Sequence, residues 1–418
     1  MRPETAESIA NKVRKMVVAD LPEPGEVEDV PSKQLWAKVR ECGSERWLDT
    51  GDIEEAEPLW CREFSSFTTN NSLLNKEVEK GTYDELIERA AGELSGEIPE
   101  EDLPLEIAFL LNARHGLRLV RKFGAMVSVE LHTDLAQDVE NSVIYGRRYH
   151  QIAPEHFYIK VPFTPAGLLA ARRLEEEGIP VNCTLGFSAR QNYLIAAVAQ
   201  TAFVNVFLGR LNAFVADNDL GSGEMVGERA ALSSHLSVLA LRSDGTTPTR
   251  QIAASMREGK QVLSLAGIDV LTMPLKVARG FEELQPDPAE IESQVGQKPE
   301  AELAPGVDAR EIGLHKLWEV SEDFLKIVHD LREKHLEHME PENVQDFLAE
   351  RGCPDLLPEW SEADVEAAKS QGKIPDFEHW RRQLEGGVVG LDALMNLCGL
   401  HYFAADQEAM DERVRSML

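Results

Sequence analysis

The chain is short of positive charge. Its 43 lysines and arginines stand against 73 aspartates and glutamates, a formal net charge of −30. Nucleic acid and anionic membrane carry the same sign, which excludes bulk binding to either as the main activity. An acidic shell also disfavours anionic substrates at long range, so a phosphate site has to rest on local arginines in a cleft, where salt and water screen less. The acid excess also suits solubility. Cysteine is scarce: Cys42, Cys61, Cys183, Cys353 and Cys398 are odd in number, widely spaced and form no C-x-x-C. That argues against a disulfide framework or a zinc site and fits a reducing compartment. Long apolar runs are missing too. The segment MRPETAESIANKVRKMVV has no apolar run followed by a small-residue cleavage site, so no secretion signal is expected. The most apolar stretch, residues 193–209, is broken by Gln200, Thr201 and Asn205 and reads as helix, turn and strand in a core. No membrane span is expected, and the cytoplasm is the expected location.

With 43% hydrophobic residues the 418-residue chain can build a large core. Short apolar runs alternate with amphipathic segments: RWLDT (46–50), FSSFTTN (64–70), AMVSVE (125–130), HFYIKVP (156–162), VNCTLGF (181–187), AFVNVF (202–207), QIAASM (251–256) and DVLTM (269–273). Between them, TPAGLLAARRLEEEG (164–178) puts Leu168, Leu169, Ala171 and Leu174 near one face, with Gly178 as a natural stop. Residues 135–152 and 187–200 behave similarly. Runs apolar throughout, separated by helices, predict parallel strands buried on both faces. Eight such units predict an α/β fold, a (β/α)8 TIM barrel with additional N-terminal and C-terminal helices; a doubly wound sheet is the rival. We expect an N-terminal helical extension over 1–40 and the barrel over 41–279. An acidic linker and helical elaboration follow over 280–385, then a C-terminal helix packing on the barrel over 386–418. Residues 75–122 are expected to hold two or three helices, and 280–310, rich in Pro, Glu and Gln, to form an exposed linker. HKLWEVSEDFLKIVHDLREKH (315–335) reads as the clearest helix beyond it.

Lys160 stands near the end of the fourth run. Lysine is rarely buried unless paired. A neutral amine attacks carbonyls, and a dry pocket or a cationic neighbour favours that form. The ordinary reading, a lysine snorkelling its head to water, is favoured for this strand alone. Other polar residues, however, mark corresponding strand ends: Asp49 on the first run, Thr68, Thr69 and Asn70 on the second, and Glu130 on the third. Asn182 and Thr184 lie on the fifth, Asn205 and Arg210 on or after the sixth, and Arg257 after the seventh. In a barrel the strand C-termini converge on one mouth. Singly, Asp49 or Asn70 reads as a helix cap or turn residue, and Asn182 or Thr184 as satisfying backbone groups. Polar residues at nearly every strand end are harder to explain that way.

In order, LDTGDI, FTTNNSLLN, VSVELHTDLAQD, YIKVP, GIPVNCTLGFS, VFLGR and ASMREGKQVLSLAGID resemble the transaldolases, class I aldolase-type barrels that form a Schiff base. The resemblance runs over about 47–274 and resumes in GLHYFAADQEAMDERVRSML, which looks like the family's closing helix. It implies that Lys160 forms an imine with the C2 carbonyl of a ketose phosphate and that Asp49 takes the C4 hydroxyl proton. Glu130 and Thr184 would hold and activate the water of imine formation and breakdown. Asn70 and Asn182, with Thr68 beside them and Asn205 and Phe207, would meet the substrate, and Arg210 and Arg257 would grip its phosphate. A protonated imine is an electron sink that stabilises the carbanion left by the departing aldehyde. A carboxylate suits the departing hydroxyl, and two arginines suit a phosphate. The implied activity transfers a dihydroxyacetone unit between sugar phosphates in the pentose phosphate pathway, with no metal or cofactor, and a homodimer is among the implied assemblies.

Four positions depart from the family pattern as it resembles this chain. Asn205 stands for the usual serine before F-x-G-R, and Asn71 for the proline that commonly follows T-T-N. His132 stands for an aspartate, and Gly186 for a bulkier apolar residue. They leave open an aldolase that releases its ketone to water, or a transaldolase of specialised metabolism. A non-catalytic scaffold is disfavoured by the intact Lys160, Asp49 and Glu130.

Overall fold

The structure, a computed structural model, describes residues 3–21 and 30–418. The expected 1–40 extension therefore lies partly outside the described residues. Within them the helix Pro3–Val18 buries Ile9, Val13, Met16 and Val17, and Arg114 caps its end by donating to the Val17 carbonyl at 2.9 Å.

Eight parallel strands close into a barrel in sequence order: β1 Glu45–Asp49, β2 Phe64–Thr68, β3 Met126–Glu130, β4 Phe157–Pro162, β5 Val181–Thr184, β6 Phe203–Phe207, β7 Arg250–Ala254 and β8 Val270–Met273. All residues of β5, β6 and β8 are buried. Residues facing the barrel interior and residues facing the helices are both out of water, which is why the strands carry apolar residues on both faces. The doubly wound alternative is excluded by the pairing of β1 with β8, Leu48 against Met273. Register then sets which polar groups share a level. Asp49 pairs with Thr68, Glu130 with Lys160 and Lys160 with Asn182, so the strand ends deliver these side chains side by side.

The covering helices form where the sequence signals them. Thr164 caps Pro165–Glu176 by accepting from the Gly167 amide at 2.8 Å, with Pro165 in the first turn. Gly178 then turns the chain at φ 76°. Between β2 and β3 stand three helices, Asn71–Glu79, Asp84–Leu94 and Leu103–Phe123.

Two expectations need correction. The helix expected over 315–335 spans only Glu322–Arg332. Its start is fixed by Ser321, whose hydroxyl accepts from the Phe324 amide at 3.2 Å, while Leu314–Leu317 form a separate 3-10 turn. The stretch 280–310 begins inside the helix Leu275–Leu284, where Phe281 is fully buried against Trp36, ring centroids 4.6 Å apart. Apart from a 3-10 turn at Pro288–Glu290 the rest is irregular, but it is pinned along the barrel by backbone bonds from Gln294 to Ala266 at 2.7 Å and from Ala304 to Leu220 at 2.8 Å.

Beyond it, four helices between 322 and 385 lead to the long helix Leu391–Arg415. Its start is clamped by a buried ion cluster. Arg190 grips Asp392 with Nε at 2.8 Å and Nη2 at 2.7 Å, its Nη2 also meets Asp355 at 2.8 Å, and Ser188 donates to Asp392 at 2.6 Å. Farther along, Asn396 donates to the Phe163 and Leu185 carbonyls just beyond β4 and β5, at 3.0 and 2.9 Å. His132, one of the departures, meets Asp411 at 3.0 Å. The helix is thereby drawn across the barrel mouth. Among the described residues no helix is long and apolar enough to cross a membrane.

Candidate functional site

A cavity of about 140 Å³ opens at the C-terminal mouth of the barrel. Its wall takes Asp49 from β1, Thr68 and Asn70 from the end of β2, Lys160 from β4, Asn182 and Thr184 from β5, and Asn205 and Phe207 from β6. Arg210 and Arg257 follow β6 and β7. The predicted strand-end residues are thus brought to one mouth, with two differences: Glu130 is not on the wall but contacts Lys160, and Thr69 is not on the wall but turns its hydroxyl to the Ser128 carbonyl at 3.0 Å.

Lys160 is 4% exposed. Its ammonium stands 3.3 Å from Glu130 Oε1 and donates to the Thr69 carbonyl at 3.2 Å. It also lies 5.7 Å from the centre of the Phe403 ring. The snorkelling reading fails because the head is inside. Its buried head is paired with one carboxylate and one carbonyl.

Asp49 sits opposite, accepting from Thr68 Oγ1 at 2.7 Å. The Thr68 hydroxyl has one proton, spent on Asp49, so the 2.7 Å contact with Thr272 Oγ1 must run from Thr272 to Thr68. Burial pushes the Asp49 carboxyl above its ordinary value, and the Lys160 charge, the Thr68 bond and Arg257 oppose that push. Asp49 is no helix cap; that task falls to Asp52, which accepts from the Glu55 amide at 2.9 Å. Asn70 does both, capping Asn71–Glu79 through the Leu73 amide at 2.8 Å while facing the cavity.

Two buried polar atoms of the cavity-lining residues have no partner among the described residues: Thr184 Oγ1 and Arg210 Nη1. Unsatisfied groups on a cavity wall call for a ligand or water. Arg210 is enclosed by the rings of Phe207, Tyr402 and Phe403 at 5.3, 5.4 and 5.0 Å. Burial first, and the Arg257 charge next, lower its pKa to about 10. Burial also lowers Arg257, with Asp49 opposing. Two crowded guanidiniums at one end of a cavity make an anion seat.

Sequence reasoning missed Ser255, Thr272 and Phe403 on the cavity wall. Thr272 is the polar residue of the eighth run and answers to the strand-end rule already applied to the others. Ser255 carries a φ of 63°, a strain invisible in sequence. Phe403 arrives from a helix about 130 residues beyond β8, and only the closing-helix resemblance pointed to it. Among the described residues no group of three or more His, Cys, Asp and Glu is placed to hold a metal ion.

A family model described as transaldolase/fructose-6-phosphate aldolase matches residues 46–335. A protein named transaldolase from Protochlamydia amoebophila is 32% identical over 239 residues, 54% of this chain and 71% of that protein. One named "Probable transaldolase" from Thermus thermophilus is 33% identical over 234 residues, covering 55% of this chain and 86% of its own. A transaldolase from Xanthomonas oryzae pv. oryzae is 27% identical over a longer 305 residues, 68% of this chain and 91% of its own.

Proposed function

Given that the chain belongs to the transaldolase/fructose-6-phosphate aldolase family and is an enzyme of the transaldolase type, we propose that it moves a dihydroxyacetone unit between sugar phosphates through a Schiff base on Lys160. The reaction is sedoheptulose 7-phosphate with glyceraldehyde 3-phosphate going to erythrose 4-phosphate and fructose 6-phosphate, in the cytoplasmic pentose phosphate pathway. The observation that carries this reading is the buried Lys160 amine set between the Glu130 and Asp49 carboxylates at one mouth.

The steps follow from the groups present. Glu130 accepts a proton from the Lys160 ammonium 3.3 Å away, and the freed amine adds to the ketose C2 carbonyl. Loss of water, with Glu130 and the unpartnered Thr184 hydroxyl holding it, leaves a protonated imine. Asp49 takes the C4 hydroxyl proton, the C3–C4 bond breaks, and its electron pair flows into the imine to give a neutral enamine while the aldehyde departs. A raised carboxyl pKa makes Asp49 a stronger base than an exposed aspartate. The enamine adds to the acceptor aldehyde, Asp49 returns the proton, and water releases the new ketose. Arg210 and Arg257 hold the phosphate, so substrate charge is met locally despite the acidic surface.

A second reading stays with the same imine. An aldolase would protonate the enamine and release dihydroxyacetone to water, and the family description includes that activity. Supplying fructose 6-phosphate with and without erythrose 4-phosphate separates the two. Transfer predicts sedoheptulose 7-phosphate and little free dihydroxyacetone. Steady release of dihydroxyacetone without acceptor contradicts it.

A further inference from the structure

Asn205 lines the cavity, yet its amide is almost fully spent on the protein. The Cys183 carbonyl, 3.1 Å away, can only accept, so the atom facing it is Nδ2. The Gly186 amide, 3.3 Å away, can only donate, so the atom facing it is Oδ1. Two backbone groups of the β5 end thus fix which way the Asn205 amide points. Its second Nδ2 hydrogen then meets Asn182 at 3.3 Å, and only an oxygen can receive it there, which fixes Asn182 Oδ1. The Asn182 Nδ2 is left facing Ser128 Oγ at 3.0 Å, with one hydrogen to spare. Asn182, Asn205 and Ser128 are all buried, so no bulk water competes for these bonds.

Gly186 belongs to the same unit. A Cβ there would stand 2.2 Å from the Asn205 carbonyl oxygen and 2.7 Å from Asn192 Oδ1, both closer than any real contact. The close approach that lets the Gly186 amide reach Asn205 Oδ1 therefore requires glycine. Asn205 and Gly186, two of the departures noted in the sequence, are thus joined by a hydrogen bond.

We infer that Asn205 is a positioning residue: it locks the Asn182 amide so that Asn182 presents a hydrogen-bond donor, not its carbonyl, to an oxygen of the ketol unit beside the carbon that Lys160 attacks. Asn205 has no donor left for substrate, while Asn182 is the strand-register neighbour of Lys160. An amide free to flip would present its oxygen to the ketol oxygen part of the time, and misaligned groups at a reacting centre cost rate up to about 100-fold. The inference rests on the transaldolase reading above.

A double-mutant cycle with fructose 6-phosphate and erythrose 4-phosphate tests it, using wild type, Asn205→Ala, Asn182→Ala and the double variant. Asn205→Ala is expected to lose about tenfold or more in kcat with KM changed less than about threefold. In the Asn182→Ala background the same change is expected to cost less than about twofold, because Asn205 acts only through Asn182. Additive losses, or wild-type kcat in Asn205→Ala, would overturn the inference. If Asn205→Ala does not fold, Asn205→Cys, which fills more space and donates only weakly, takes its place in the cycle. Wild type is also reduced with borohydride in the presence of fructose 6-phosphate. An adduct on Lys160 alongside additive losses rejects the positioning role alone, whereas absence of the adduct rejects the functional reading and this inference with it.

Discussion

Glu130 and Lys160 are paired across neighbouring strands, and the carboxylate is shared between two donors. Oε1 faces the Lys160 ammonium at 3.3 Å, and Oε2 accepts from the backbone amide of Asn71 at 3.0 Å. The second donor exists because residue 71 is not proline, the residue commonly found there in the family this chain resembles. The amide fixes the carboxylate while leaving its other oxygen to the amine.

That contact gives a clean comparison between two substitutions. Asn71→Ala keeps the backbone amide and loses the side chain, which accepts from Asn112 at 3.1 Å. Asn71→Pro loses both, yet residue 71 is the first of its helix, where a missing amide hydrogen is tolerated. Hydrogen bonds to charged groups are worth about 1.5–3 kcal/mol. Turnover of Asn71→Pro should therefore lie about tenfold below that of Asn71→Ala, and its thermal midpoint should also be lower, because a buried carboxylate oxygen loses its donor. Equal turnover would show that the amide does not matter to Glu130.

The acid limb of the rate profile should report Asp49. The Thr68 bond favours the charged carboxylate, so it lowers the pKa, and removing it in Thr68→Val lets burial push the value further up. The base must be ionised to work, so the acid limb of kcat/KM should move to higher pH in Thr68→Val. A limb that stays in place or moves to lower pH would contradict the role given to Asp49.

The same carboxyl sets a trade between activity and stability. Its folded pKa lies above the ordinary 3.8, so the folded state binds the proton more tightly than the unfolded chain. Stability is therefore lost as pH rises from 3.8 through the folded pKa. Asp49→Asn removes that loss. At neutral pH it should melt no lower than wild type while turnover falls at least about 100-fold, and the relative gain should vanish below pH 3.8. A clear drop in melting temperature at neutral pH would contradict this.

Much of this was legible in the sequence because barrel strands are buried on both faces. The runs around Trp47, Val129 and Val204 are mainly apolar and buried along their length, and the polar residues in and at the ends of them stand out. Register made Lys160, Glu130 and Asn182 neighbours. Three kinds of fact were not legible. The amide network of Asn205 depends on backbone atoms of Cys183 and Gly186, which have no side-chain signal. The place of Phe403 on the wall, and of Tyr402 against Arg210, depends on where a distant helix lies, and the long-range contacts that hold it, such as Arg190 to Asp392, have no local pattern. The helix expected over 315–335 failed because Ser321, a strong capping residue inside an amphipathic stretch, outweighs the periodicity before it.

Arg210 should make the protein sensitive to inorganic phosphate. Burial and the Arg257 charge depress its pKa from 12.5 to about 10, so carrying its charge in the folded state is unfavourable at every pH below that. An anion relieves the cost and binds only the folded state, contributing about 2.7 kcal/mol at 100 times its Kd. Phosphate should therefore raise the thermal midpoint by several degrees, and Arg210→Met should lose most of that rise while melting no lower than wild type without phosphate. An undiminished response in Arg210→Met would place the anion elsewhere.

The most direct measurement is covalent trapping at Lys160. Incubation with fructose 6-phosphate and sodium borohydride, followed by peptide mass analysis, should find one reduced three-carbon or six-carbon adduct, on the peptide that carries Lys160. Activity should fall in step with labelling, and Lys160→Ala should give neither adduct nor turnover. Turnover by Lys160→Ala, or an active wild type that borohydride and substrate leave unlabelled at Lys160, would contradict the Schiff-base account.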